Sequence, residues 1–301
     1  MSYGRFDVTG KVFDWVTLPG KWIDYRNSSF GSQKLVARML EAIEKRDGPE
    51  ALRGFDCLAL VWAGNSVERG SMLWPMRVTL SRVRKDMADV VAFKMGEFHH
   101  GEAAPIGVPC HELAHCFGVN DKYGLGSGKG PLGPWCLIAL GTNGGAPSGR
   151  HRPFPLCAWC KLHIGWVVPR TVDAARPQKL ALRPIGFGPG ECYRILLDAE
   201  GREYLLLENR RREGFETTLP SPGLVIYKVG PPDKPASPQV RVELLPAHGL
   251  PSPGRGILPK PEAVAWPRPD KTSFRFRHIQ LSDIRLVDDV VYFELSTAKS
   301  R

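Results

Sequence analysis

No stretch of this chain approaches the roughly 18 consecutive apolar residues of a membrane-crossing helix, so the sequence offers no membrane span. The opening Met-Ser-Tyr-Gly-Arg-Phe-Asp has no apolar core behind a basic start, and no secretory signal is visible there. Cys157-Ala-Trp-Cys160 has no second C-x-x-C to match it, which excludes a four-cysteine zinc ribbon. With seven cysteines, an odd count, the chain cannot form a complete disulfide framework. The pair at 157 and 160, followed by His163, reads as small thiols turned into the core from a helix over Leu156 to Ile164. A metal grip or a strained disulfide is the alternative. The sequence also lacks a basic-aromatic cluster. Its net charge of +10 is spread out, with short runs only at Arg82 to Lys85 and Arg210 to Arg212. That pattern suits a solvated basic surface and argues against a nucleic-acid partner. No internal repeat is present.

What the chain does contain is His111-Glu112-Leu-Ala-His115. On an α-helix, residues four apart lie one above the other, so both imidazoles can bind one Zn²⁺. Glu112 then reaches water beside the metal rather than the metal itself. Pro109 falls in a first turn, which tolerates a missing N–H, and Gly118 falls where a helix ends in a left-handed residue. The pattern continues as H-E-x-x-H-x-x-G-x-x-D. A glycine at 118 lets the chain double back and bring a third ligand, Asp121, to the ion. Asp121 as a loop-capping residue is the plainer alternative. Three protein ligands leave one coordination position open, which marks a catalytic site. Tyr123 is the nearest hydroxyl donor by sequence for a developing oxyanion, although a packed tyrosine is the simpler reading.

A chain of 301 residues is long enough for two domains. Ser32 to Arg46 reads as an amphipathic helix with Leu35, Val36, Met39, Leu40 and Ile43 on one stripe and Ser32 as N-cap. Cys57 to Trp62 is a continuous apolar run that suits a buried central strand. Val78 to Leu80 and Val90 to Phe93 are shorter strand candidates, and the second, continued through Glu97, could pair with an extended peptide. Gly124 to Arg152 reads as a long loop. After Pro169 the pattern becomes a series of short strands over Lys179–Arg183, Cys192–Leu197, Glu203–Glu208, Gly223–Lys228, Val240–Leu245, Ile279–Ile284 and Val290–Leu295. Asp198 to Gly201 and Asp288-Asp289 read as hairpin turns, and Gly230–Pro238 and Pro246–Pro269 as irregular proline-rich segments. The expected fold class is α+β: a mixed-sheet domain over 1–170 carrying the active helix, then an all-β sandwich-like module over 171–301.

Several segments together resemble the immune inhibitor A family of secreted bacterial zinc metallopeptidases. They are Ser2 to Phe13 with Trp15 to Pro19, Phe55 to Gly64, Trp74-Pro75, Ile106 to Tyr123, Trp135-Cys-Leu-Ile-Ala139, Leu162-His-Ile-Gly-Trp166, and Glu203 to Arg210 with Gly214-Phe and Leu219 to Tyr227. The resemblance covers nearly the whole chain. It implies a zincin-like, metzincin-like fold, an extracellular location, one catalytic Zn²⁺ on His111, His115 and Asp121, and Glu112 as general base. The implied activity is a metalloendopeptidase, a hydrolase acting on protein or peptide substrates. Ile138 stands where the family carries the methionine of the turn beneath the metal. Gly124 stands where the family often has an acidic residue, so the sequence gives no support for calcium. The resemblance also places a leader, a pro-segment and one further strand ahead of the residues seen here, so the sheet is expected to lack a partner beside the Cys57 run. The contrasting expectation is a catalytically silent binding protein on the same scaffold.

Overall fold

The computed structural model describes residues 2–26, 31–65, 74–99, 101–122, 132–144, 151–232, 240–247 and 264–298. Helices are few, and the strands form several mixed and antiparallel sheets, a mixed α/β architecture. Contacts divide the chain into two compact units, Asp7–Gly118 and Met1–Phe6 together with Val119–Arg301. The boundary expected near residue 170 falls inside the second of these.

In the unit Asp7–Gly118, a short helix α1 (Trp22–Arg26) precedes α2 (Gly31–Asp47). The stripe Leu35, Val36, Met39, Leu40 and Ile43 is buried as its spacing requires, with each such side chain contributing about 2 kcal/mol. Ser32 lies within α2, not at its cap. The strands are β1 (Cys57–Asn65), β2 (Met76–Thr79), β3 (Val91–His99) and β4 (Glu102–Ala103). Their order is β1-β3-β2, with β1 parallel and β2 antiparallel to β3, and β4 paired to the end of β3. The stripe of α2 packs with Leu58, Leu60, Val78 and Ala92 of this sheet in one core.

Two sequence expectations change here. The apolar run at Cys57 is not a central strand: among the described residues β1 pairs only with β3, burying Leu58 and Leu60 while Ala59 and Val61 face outward. Those outward residues line a groove of about 550 Å³ together with Val12, Phe13, Trp15 and Val16. The run is apolar on both faces because that groove, as well as the core, is apolar. The central strand is β3, with β1 on one side and β2 on the other at Phe93 and Lys94. Over Phe93 and Lys94 both rows of backbone groups are already paired, which leaves an extended peptide no place on that stretch, whereas the pairing with β2 ends at Lys94 and does not reach Met95 to Glu97.

The second unit contains α4, numbered after α3 (Gly107–Cys116) of the first; it spans Ala158–His163. Its strands are β5 (Arg170–Thr171), β6 (Gln178–Leu182), β7 (Tyr193–Leu196), β8 (Tyr204–Arg210), β9 (Gly223–Gly230), β10 (Arg241–Leu245), β11 (Phe274–Phe276), β12 (Ile279–Val287) and β13 (Val290–Thr297). One sheet runs β10-β9-β8-β7-β5 and the other β11-β12-β13-β6. Both supply side chains to a shared core, Leu205, Leu207 and Ile226 from the first sheet and Ile279, Leu281 and Phe293 from the second. Asp288 and Asp289 take positive φ in the turn joining β12 to β13, as the hairpin reading requires. Strands β5 and β11 are too short to show a period in the sequence. Of the irregular segments, 233–239 and 248–263 lie outside the described residues, as do 124–131 and 145–150 of the long loop.

Strand β8 is buried on both faces. Leu205 and Leu207 point into the shared core, and Glu208 and Arg210 are buried too, engaging Ala158 and Trp135. Arg210 therefore does not belong to a solvated basic cluster, as its neighbours in sequence suggested.

Candidate metal centre

Helix α3 begins without a side-chain cap, places Pro109 in its first turn and closes with the Gly118 N–H donating to the His115 carbonyl at 3.0 Å. Gly118 has φ +80°, the left-handed conformation that redirects the chain into Val119 and Asp121. One helical turn brings the two imidazoles together, with ring centroids 4.8 Å apart and planes at 89°. His111 and Glu112 are buried, His115 and Asp121 partly so. One ligand atom from each of His111, His115 and Asp121 lies within 4.8 Å of the others. That proximity is local, set by one helical turn and one glycine-directed bend.

Two imidazole nitrogens and a carboxylate oxygen are a donor set that zinc accepts, with bonds of about 2.0–2.2 Å. Donors bonded at that length to one tetrahedral ion stand about 3.4 Å apart, so donors within 4.8 Å of one another need only small side-chain movements to share an ion. The sequence-derived ligand set is thus assembled in one place, with Glu112 beside it on the helix.

Ile138, fully buried, lies in the turn over Leu137–Leu140. Its carbonyl accepts the Lys122 N–H at 3.0 Å, which ties that turn to the residue after Asp121. Tyr123 and Gly124 lie outside the described residues.

Pattern-reading passed over Lys94. On central strand β3 it is wholly buried, donates from Nζ to the Trp74 carbonyl at 2.7 Å and stands 5.4 Å from the centre of the Trp62 ring. Burial pushes its ammonium down to about 8, while the charge of Glu112 works in the opposite direction. A lysine inside a strand carries no pattern signal, because only the pairing of β3 brings it within the field of Glu112.

A second group of donors assembles within Val119–Arg301. Cys136, Cys157 and Cys160 are completely buried, and their sulfurs all lie within 4.8 Å of one another. Cys136 and Cys157 each have their sulfur 3.6 Å from that of Cys160. Burial raises the Cys136 thiol. Hydrogen bonds from the other two cysteines and from the N–H groups of Cys157 and Ile138 outweigh it and hold the thiol well below its usual range. The sequence spacing of Cys157 and Cys160 suits core packing, which their burial bears out, and carries no sign of Cys136, which arrives from a separate turn.

No protein-family model matches this chain, and no curated protein matches it either.

Proposed function

We propose that this protein is a zinc-dependent endopeptidase of zincin-like build, resembling the secreted immune inhibitor A family and acting on protein or peptide substrates outside the cell. The observation that carries the reading is the convergence of His111, His115 and Asp121 within 4.8 Å, with Glu112 on the same helix. His111, His115 and Asp121 would hold the ion. The chemistry a bound zinc supplies is Lewis acidity, which acidifies water and polarises the scissile carbonyl.

Glu112 accepts the proton of the attacking water and returns it to the leaving amine. Its burial limits competition from bulk water for that proton. Asp121 would neutralise part of the charge of a bound ion, and the two imidazoles, fixed by one helical turn, would hold its orientation. Lys94, buried on the neighbouring strand, lies within the electrostatic reach of Glu112.

The decisive experiment is Glu112→Gln, which keeps the donor set and removes the base. Zinc content is expected to stay unchanged while cleavage of an unfolded protein falls by roughly 10²–10⁴-fold. Cleavage at the wild-type rate in that variant overturns the reading. A wild-type chain that holds zinc yet cleaves no peptide bond would instead point to a silent binding protein on this scaffold.

A further inference from the structure

We propose that Cys136, Cys157 and Cys160 form a structural site for one thiophilic, closed-shell metal ion, zinc(II) or copper(I), separate from the histidine centre. Thiolates bonded at about 2.3 Å to a common tetrahedral ion stand about 3.8 Å apart. The two sulfur separations of 3.6 Å match that spacing, and neither approaches the roughly 2.05 Å of a disulfide. All three side chains are wholly buried, so the site admits no substrate and its role is to hold the fold.

The surroundings suit bound thiolates. Cys136 Sγ accepts the N–H of Cys157 at 3.3 Å, the kind of backbone hydrogen bond that supports a sulfur carrying negative charge. Lys122 places its ammonium 4.3 Å from the centre of the Trp159 ring, within the electrostatic reach of all three cysteines, and offsets the excess charge of three thiolates on one ion.

The segments that carry the sulfurs, the turn at Cys136 and the start of α4, are also braced from strand β8. Arg210 donates to the carbonyl of Trp135, next to Cys136, at 2.8 Å. Glu208 accepts the N–H of Ala158, next to Cys157, at 3.0 Å. Gly141 completes the turn, donating its N–H to the Cys136 carbonyl at 3.0 Å, and a Cβ there would meet that oxygen at 2.6 Å. Each sulfur-bearing segment is thus held through its backbone by hydrogen bonds independent of the thiols. Among the described residues no fourth His, Cys, Asp or Glu joins the cluster. Three sulfurs satisfy copper(I) outright and leave zinc one further position.

The test uses the full chain carrying His111→Ala and His115→Ala, which removes the other centre and leaves the sulfurs intact. Purified under reducing conditions from cells supplied with zinc and copper, it is expected to retain one equivalent of metal, identified by mass spectrometry. X-ray absorption at that metal's edge should show sulfur neighbours, at about 2.3 Å for zinc. Cobalt(II) replacement should give an intense thiolate-to-metal charge-transfer band. Adding Cys160→Ser is expected to abolish the equivalent. A chain with intact cysteines that takes up no ion, an ion with only nitrogen and oxygen neighbours, or a disulfide between two of the three would overturn the proposal. These readouts come from the intact-cysteine chain, so poor folding of the serine variant cannot hide a negative result. They are also blind to peptidase activity, so failure here is distinguishable from failure at the histidine centre.

Discussion

A lysine enclosed in the middle of a strand loses the hydration that stabilises its charge, and Lys94 accordingly sits near a pKa of 8. In the unfolded chain the same group titrates near 10.4. Below pH 8 both states carry the proton, and the full penalty of burying it is present. Between pH 8 and about 10.4 the unfolded chain binds more protons, so this residue's contribution to stability rises with pH across that window. The gain is roughly 3 kcal/mol at most. Urea unfolding at pH 7.5 and pH 10 should show it as a difference between the wild type and Lys94→Met, which lacks the rise. Equal pH dependence in the two proteins would remove Lys94 from the account. His111, Glu112 and His115 were legible because their spacing is that of a helix. Lys94 was not, since its neighbours arrive through strand pairing.

The helix–turn segment Gly107 to Asp121 works as one element. The helix aligns two imidazoles, and the bend at Gly118 brings the Asp121 carboxylate to them. An L-residue forced into the left-handed region at 118 costs about 1–2 kcal/mol, and a β-branched one is worse placed still. Gly118→Val is therefore expected to lower the thermal midpoint and to weaken zinc binding by roughly tenfold or more, measured by competition with a chromophoric chelator. Unchanged affinity would mean that Asp121 reaches its place without that turn. Most other elements of the chain announced themselves by period: α2 by its stripe, and β6 to β9, β12 and β13 by alternating or continuous apolar runs. The misassignment of β1 as central has a physical origin. An apolar face turned toward a groove lined by Phe13 and Trp15 looks the same in sequence as one turned toward a neighbouring strand.

Arg210 shows how the larger unit, Val119–Arg301, depends on a buried ionic network. Its guanidinium donates to Glu208 at 3.0 Å and to Glu216 at 2.6 Å, and the Tyr227 hydroxyl donates to the same Glu208 oxygen at 2.5 Å. Removing the cation leaves two carboxylates enclosed without it. Arg210→Met is expected to cost about 3–5 kcal/mol in urea unfolding. Arg202→Met, whose partner Glu200 stands in water with it, should cost less than about 1 kcal/mol. Similar costs for the two substitutions would show that the network is not a support of the fold.

Local order came from the chain itself: the paired histidines of the H-E-x-x-H helix, its glycine bend, the α2 stripe and the hairpin turns all follow from residues near one another in sequence. Each is governed by a fixed helical or strand period, or by a single backbone conformation. The convergence of Cys136 with Cys157 and Cys160, the burial of Lys94 and Arg210, and the centrality of β3 were decided only by tertiary structure. Those arrangements depend on which distant segments pack together, and side-chain spacing along a chain carries no record of that.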